Sequence, residues 1–159
     1  MIKYFKILLC AYAVIGVMGC IKEYVSTMES FLINNTAHQI EVVPYYGGIA
    51  NMSARVQLSP GQRLSVAREG VRGRSLAATY AMGLQSFDSV VVIYDNLYRV
   101  THRSFRDSTA CTKCITFSSN RNISSESSYL KTITKEHRKY LRGYFEYSFT
   151  EDDYNFARN

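Results

Sequence analysis

Two cysteines three residues apart, in Cys111-Thr112-Lys113-Cys114, make the most pointed chemical motif of this chain. One chemistry for such a pair is thiol–disulfide exchange, in which the first thiol is activated at a helix N-terminus. The residues around it do not read as the strand–turn–helix unit that such a site needs, since Ile115-Thr116-Phe117 alternates like a strand. The first reading is therefore a structural disulfide or a pair of idle thiols, and redox catalysis is the alternative. In an extended strand, residues three apart lie about 10 Å from one another at ~3.3 Å per residue. A disulfide brings its Cα atoms within about 7 Å, so bonding requires the chain to fold back at Thr112 and Lys113. Zinc would need a second cysteine pair or spaced histidines, and His102 is a lone candidate, so no metal site is expected.

A third cysteine carries a different chemistry. Lys3 and Lys6 precede an uncharged apolar run from Ile7 to Met18, and the run ends in Val17-Met18-Gly19-Cys20. A basic start, an apolar stretch and a small residue before the cut form a secretory signal. The stretch is shorter than the ~20 residues a membrane span needs. The cysteine just after the small Gly19 is where a lipoprotein signal would be acylated. Met18 is larger than the usual residue at its place. Each buried methylene contributes about 0.8 kcal/mol, so two or three acyl chains hold a protein durably where one does not.

The remaining reactive side chains point less sharply. His38, His102 and His137 fall on different segments and are expected at the surface. Neither a Gly-x-Ser-x-Gly elbow nor a His-Glu-x-x-His helix is present. Asp152-Asp153 reads as charge at a helix start. Among 13 tyrosines, Tyr45-Tyr46 beside Gly47-Gly48 is a candidate ligand platform, although strand packing is the commoner use of tyrosine. Asp107-Ser108-Thr109 matches a short O-glycosylation acceptor pattern, with Ser108 in a loop. Asp88-Ser89-Val90 matches too, but Ser89 opens a buried strand.

Composition bounds the function. The chain has 159 residues and a net charge of +6. Without residues 1–19, seventeen basic residues face thirteen acidic ones, a net charge of +4. The basic residues recur in three groups: Arg68, Arg72 and Arg74; Arg99, Arg103 and Arg106; Lys135, Arg138, Lys139 and Arg142. Acidic residues interleave, no nucleic-acid motif accompanies them, and an export signal removes the chain from the genome. Nucleic acid is therefore not an expected partner. Anionic headgroups are a better match, and a solvated face a simpler one. No cofactor motif is present.

The elements that would position these residues are strands. Residues 20–30 read as a lipid anchor and tether, and 31–159 as a single β-rich domain, large enough to bury about two-thirds of its unfolded surface. Phe31-Leu32-Ile33, Ile40 to Tyr46, Arg55 to Leu58, Leu64 to Val66, Ser89 to Tyr94, Tyr98 to Thr101 and Tyr144 to Phe149 are strand candidates. Ser59-Pro60-Gly61 and Asp95-Asn96 are turn signals among them. Ser89 to Tyr94 is expected to be central and buried. Thr150 with Glu151-Asp152-Asp153 predicts a short C-terminal helical turn. Arg74 to Leu84 is ambiguous, and 118–128 reads as a Ser-rich surface loop. The fold class is all-β: an antiparallel β-sandwich, Ig-like or similar.

Taken in order, "FLINNTAHQIEVVPYY", "LSPGQ", "FDSVVVIYDN", "NRNISSESSY" and "YFEYSFTEDDYNFA" resemble small outer-membrane or surface lipoproteins of the Bacteroidota. That resemblance implies an outer-membrane-anchored β-rich domain with no established activity, displayed on the periplasmic face or the cell surface. The function expected is a non-catalytic binding or envelope-complex module, attached to the membrane through lipid on Cys20, with an envelope protein or glycan as partner. The alternative is a thiol–disulfide oxidoreductase using Cys111 and Cys114.

Overall fold

The computed structural model describes residues 24–73, 78–105 and 111–159. The expected signal segment, residues 1–19, lies outside the described residues, as do Cys20 and Ser108. Among the described residues, ten strands form two sheets that enclose one apolar core. The first sheet has the order β5-β1-β10-β9, with β1 at Val25–Asn34, β5 at Arg63–Arg72, β9 at Leu130–His137 and β10 at Tyr140–Phe149. The second has the order β3-β2-β6-β7-β8, with β4 also on β2. Its strands are β2 (Ile40–Tyr46), β3 (Ile49–Ala50), β4 (Val56–Leu58), β6 (Ser89–Tyr94), β7 (Tyr98–Arg103) and β8 (Cys114–Ile115).

The expected all-β sandwich is present. Most neighbours are antiparallel, but β1 pairs with β10 in parallel, as β7 does with β8, so both sheets are mixed. The parallel pairing puts the starts of β1 and β10 side by side, Val25 opposite Tyr140, and their ends likewise, Asn34 opposite Phe149. Period-two alternation does the rest. Met28 and Leu32 of β1 face inward with Leu141, Phe145, Tyr147 and Phe149 of β10. Val90, Val92 and Tyr94 of β6 meet them from the other sheet. As expected, β6 is central, between β2 and β7.

Two expectations are corrected. Residues 20–30 are not all tether, because β1 begins at Val25. Ser26 and Ser30 are buried inward-facing positions of that strand, and their small polar side chains hide its periodicity. The expected Ser59-Pro60-Gly61 turn is present, with Gly61 at φ +73°. It carries the chain from β4 in one sheet to β5 in the other. Residues 118–128 are not a surface loop throughout: Asn122, Ile123, Ser124 and Ser125 are buried.

Two α-helices complete the fold among the described residues. α1 (Thr79–Leu84) packs against β1 and β5 and adds Ala81 and Leu84 to the core, beside Ala78. α2 (Glu151–Arg158) is the expected C-terminal helix and packs against β7.

Candidate functional site

The polar side chains that the sequence scatters converge where β1 and β10 end and α2 begins. Asn34 at the end of β1 is fully buried. Its Nδ2 donates to the carbonyls of His38 (2.7 Å) and Leu58 (3.2 Å), and its Oδ1 accepts from the Thr36 hydroxyl and backbone N–H. One side chain thus replaces the ladder partners that the chain loses on turning from the first sheet into β2.

α2 is held at both ends. Asp153, buried in its first turn, accepts the Thr150 N–H (2.9 Å) and the Thr150 hydroxyl (3.0 Å). Arg121 reaches the same carboxylate through Nε (3.0 Å) and Nη2, and its Nη2 also donates to Thr150 Oγ1 (3.0 Å). Burial opposes the Arg121 charge, but the Asp153 hydrogen bonds and charge outweigh it and raise the guanidinium pKa. At the other end, Lys113 Nζ donates to the carbonyls of Ala157 (2.6 Å) and Arg158 (3.4 Å). A carboxylate at the N-terminus and an ammonium at the C-terminus both complement the helix dipole.

Lys113 is the third residue of the cysteine motif. The structure joins Cys111 and Cys114 as a disulfide, with Cα atoms 5.3 Å apart, and Thr112 and Lys113 form the turn between them. The motif stands in a tight turn leading into the two-residue β8, not at a helix N-terminus. The closed turn aims Lys113 at α2, and Arg103 Nε donates to Cys114 Sγ (3.4 Å). Between this turn and α2 lies an open cavity of about 310 Å³, lined by Cys114, Ile115, Thr116, Arg121, Asp153 and Phe156.

The segment behind the cavity is fixed from inside. Asn122 Nδ2 donates to the carbonyls of Arg103 (2.8 Å) and Ile115 (3.0 Å), while its Oδ1 accepts the Ser124 N–H (2.8 Å). His102 Nδ1 accepts the Ile123 N–H (3.2 Å). The phenols of Tyr129 and Tyr147 donate to the carbonyls of Ile123 (2.9 Å) and Arg121 (2.7 Å). Burial pushes both phenols well up, which keeps them neutral donors.

The histidines do not share one environment. His102 is not at the surface as expected; it is buried, and burial first and the Arg121 charge second lower its pKa to about 3. His38 stacks on Tyr154 with ring centroids 3.5 Å apart. Its Nδ1 meets Asp95 Oδ2 at 2.5 Å, and its Nε2 lies 3.7 Å from Glu151 Oε2. His137 stacks on Tyr140 in the β9–β10 hairpin. Among the described residues, no three His, Cys, Asp or Glu side chains gather as they would around a metal ion.

The remaining candidates lie apart from this cluster. Tyr45 and Tyr46 end β2, where Gly47 and Gly48 at φ +57° and +76° turn the chain into β3. Tyr46 and Ile49 are exposed at that tip, at 65% and 75%. The sequence reading missed Asn34, Asn122 and Arg121, because their roles rest on hydrogen-bond partners far along the chain, which no periodic pattern signals. Comparison with protein-family models, with curated proteins and with solved structures finds no match for the chain.

Proposed function

We propose that the protein is a lipid-anchored lipoprotein of the cell envelope, a non-catalytic binding or envelope-complex module held in the outer membrane by acyl chains on Cys20. The observation that carries this reading is the N-terminal order of Lys3, Lys6, an uncharged apolar run and Val17-Met18-Gly19-Cys20, followed within five residues by the first strand. An anchor so close to the domain serves a protein that works at a membrane surface. Among the described residues no helix is long and apolar enough to span a bilayer.

Two features support a non-catalytic role. The Cys111–Cys114 turn lacks the helix N-terminus that lowers a thiol pKa for exchange. Its lysine is committed to the carbonyls that close α2. The exposed Tyr46 and the neighbouring Tyr45 suit contact with an envelope protein or a glycan, since an aromatic ring offers apolar area beside a polar tip.

The test is Cys20→Ala in the native envelope. The parent is expected in the outer-membrane fraction with acyl mass on Cys20, and the variant is expected unacylated and uncleaved by the lipoprotein peptidase. A variant that fractionates and matures like the parent would refute the reading. Capture of partners from native envelope with the anchor intact, beside a Tyr45→Ala/Tyr46→Ala variant, then tests the binding role.

A further inference from the structure

We infer that the end of the sandwich where β1 and β10 begin is a membrane-facing surface for anionic lipid headgroups. The inference rests on the lipoprotein reading for its geometry, and on charge and topology for its chemistry.

Three chain segments meet at this end. The Val25 N–H donates to the Lys139 carbonyl (3.1 Å), the Gly73 N–H donates to the Tyr24 carbonyl (2.7 Å), and Ser26 Oγ donates to the Gly73 carbonyl (2.5 Å). The start of β1, the end of β5 and the β9–β10 turn are thereby tied together. Cys20 stands five residues before Val25, and five residues reach at most about 17 Å when fully extended. Acyl chains on Cys20 therefore hold Val25 within that distance of the bilayer surface. The other end of β1, nine residues on, lies about 30 Å farther along the strand at ~3.3 Å per residue. The lipid selects which end faces the membrane.

That end carries the positive charge. Lys135, Arg138, Lys139 and Arg142 belong to the β9–β10 hairpin, and the register puts Arg72 opposite Val25 and Arg68 opposite Glu29. The carboxylates near them are Glu29, which accepts from Ser65 Oγ (2.6 Å), Glu69 on β5 and Glu136 on β9. The cations outnumber these acids two to one. Lys135 and Arg142 each lie 5.6 Å from the Tyr140 ring, a grouping of cation and amphipathic ring suited to a headgroup layer. Basic residues near an anionic surface are attracted within about a Debye length, ~10 Å at 0.1 M salt. The contact is therefore sensitive to both salt and lipid charge.

The experiment uses the full acylated protein in vesicles of phosphatidylcholine alone or with phosphatidylglycerol, read by amine-reactive footprinting. Lys135 and Lys139 are expected to lose reactivity several-fold on the anionic vesicles and to regain it at high salt. Lys113, at the far end beside α2, is the internal control and is expected to be unchanged. In Arg138→Glu/Lys139→Glu the protection of Lys135 is expected to disappear. Equal reactivity of Lys135 and Lys139 on the two vesicle types would overturn the proposal. The intact mass of the same sample separates the two readings. If Cys20 bears no acyl mass, the lipoprotein reading fails, and the chain is added to preformed vesicles instead. Salt-sensitive protection of the same lysines would then still support the surface, and its absence would refute it.

Discussion

The two ends of the β1–β10 pair both carry polar and charged side chains and behave as opposites. At the starts of the strands, Lys135, Arg138, Lys139 and Arg142 stand on a solvent-exposed hairpin whose edge strand, β9, is exposed along nearly its whole length. At their ends, Asn34, Arg121, Asn122 and Asp153 are woven into a network that orders a loop, a turn and a helix. The difference is what surrounds the charge. A buried polar group must find partners, because leaving it unpaired costs about 1–3 kcal/mol. An exposed one is satisfied by water and remains available to something else. Polar residues at the far end specify the structure, and those at the near end form a surface.

The sharpest break of this comparison is a truncation at the locked end. Phe149 is fully buried and packs on Tyr147 with ring centroids 4.9 Å apart. Phe149→Ala is expected to cost about 3–5 kcal/mol, whereas Val25→Ala, at the open end of the neighbouring strand, should stay within about 1 kcal/mol. Urea denaturation of both variants measures the contrast. Equal losses would mean that the two ends are not distinct in stability.

Acid provides the next test. Folded His102 titrates at about 3, against an ordinary value of 6.5. Between those pH values the unfolded chain binds a proton that the folded chain does not. Stability therefore rises with pH through that window and is lost as pH falls from 6.5 towards 3, by a few kcal/mol in all. Comparing denaturation midpoints at neutral and mildly acidic pH for the parent and for His102→Asn isolates this residue. The variant should be less stable at neutral pH yet show a flatter acid limb, and an unchanged slope would reject the assignment.

The disulfide should matter less. Closing so short a loop removes only about 2 kcal/mol of unfolded-state entropy. Cys111→Ser/Cys114→Ser is expected to lower stability by that order and to loosen α2 through Lys113, visible as faster amide exchange near Ala157. Disulfide reductase or isomerase activity in the parent that the double variant lacks would promote the oxidoreductase alternative. Smallest of all, Arg138→Glu/Lys139→Glu should change stability by less than about 0.5 kcal/mol, since exposed charges contribute little to folding. A large loss would show that the hairpin is structural and not a free surface.

Several elements were legible in the sequence for local reasons. β2 and β6 carry runs of Val, Ile and Tyr, and Asp95-Asn96 adopts the positive φ values (51° and 58°) that close the β6–β7 hairpin. Thr150 followed by three acids marks the start of α2. β9 was not legible: Leu130–His137 is an edge strand, exposed along nearly its whole length, so no apolar alternation is required of it, and its lysines guard the edge. The start of β1 was hidden by serines at inward positions. Asn122 looked like loop composition, because its three hydrogen bonds join residues 103, 115 and 124.

What the sequence determined by itself was the set of local preferences: the N-terminal signal pattern, the strand-forming runs, the turns and the helix start. Each depends on neighbours a few residues away, through side-chain periodicity and backbone geometry. Only the tertiary structure decided which distant residues meet. The parallel pairing of β1 with β10 brings residue 25 to residue 140, and so places the basic hairpin beside the start of β1. The same pairing brings Asn34 to Phe149 and seats α2 against Lys113 and Arg121. Those contacts follow from burying two apolar faces in one core, a condition on the whole chain that no short window of residues contains.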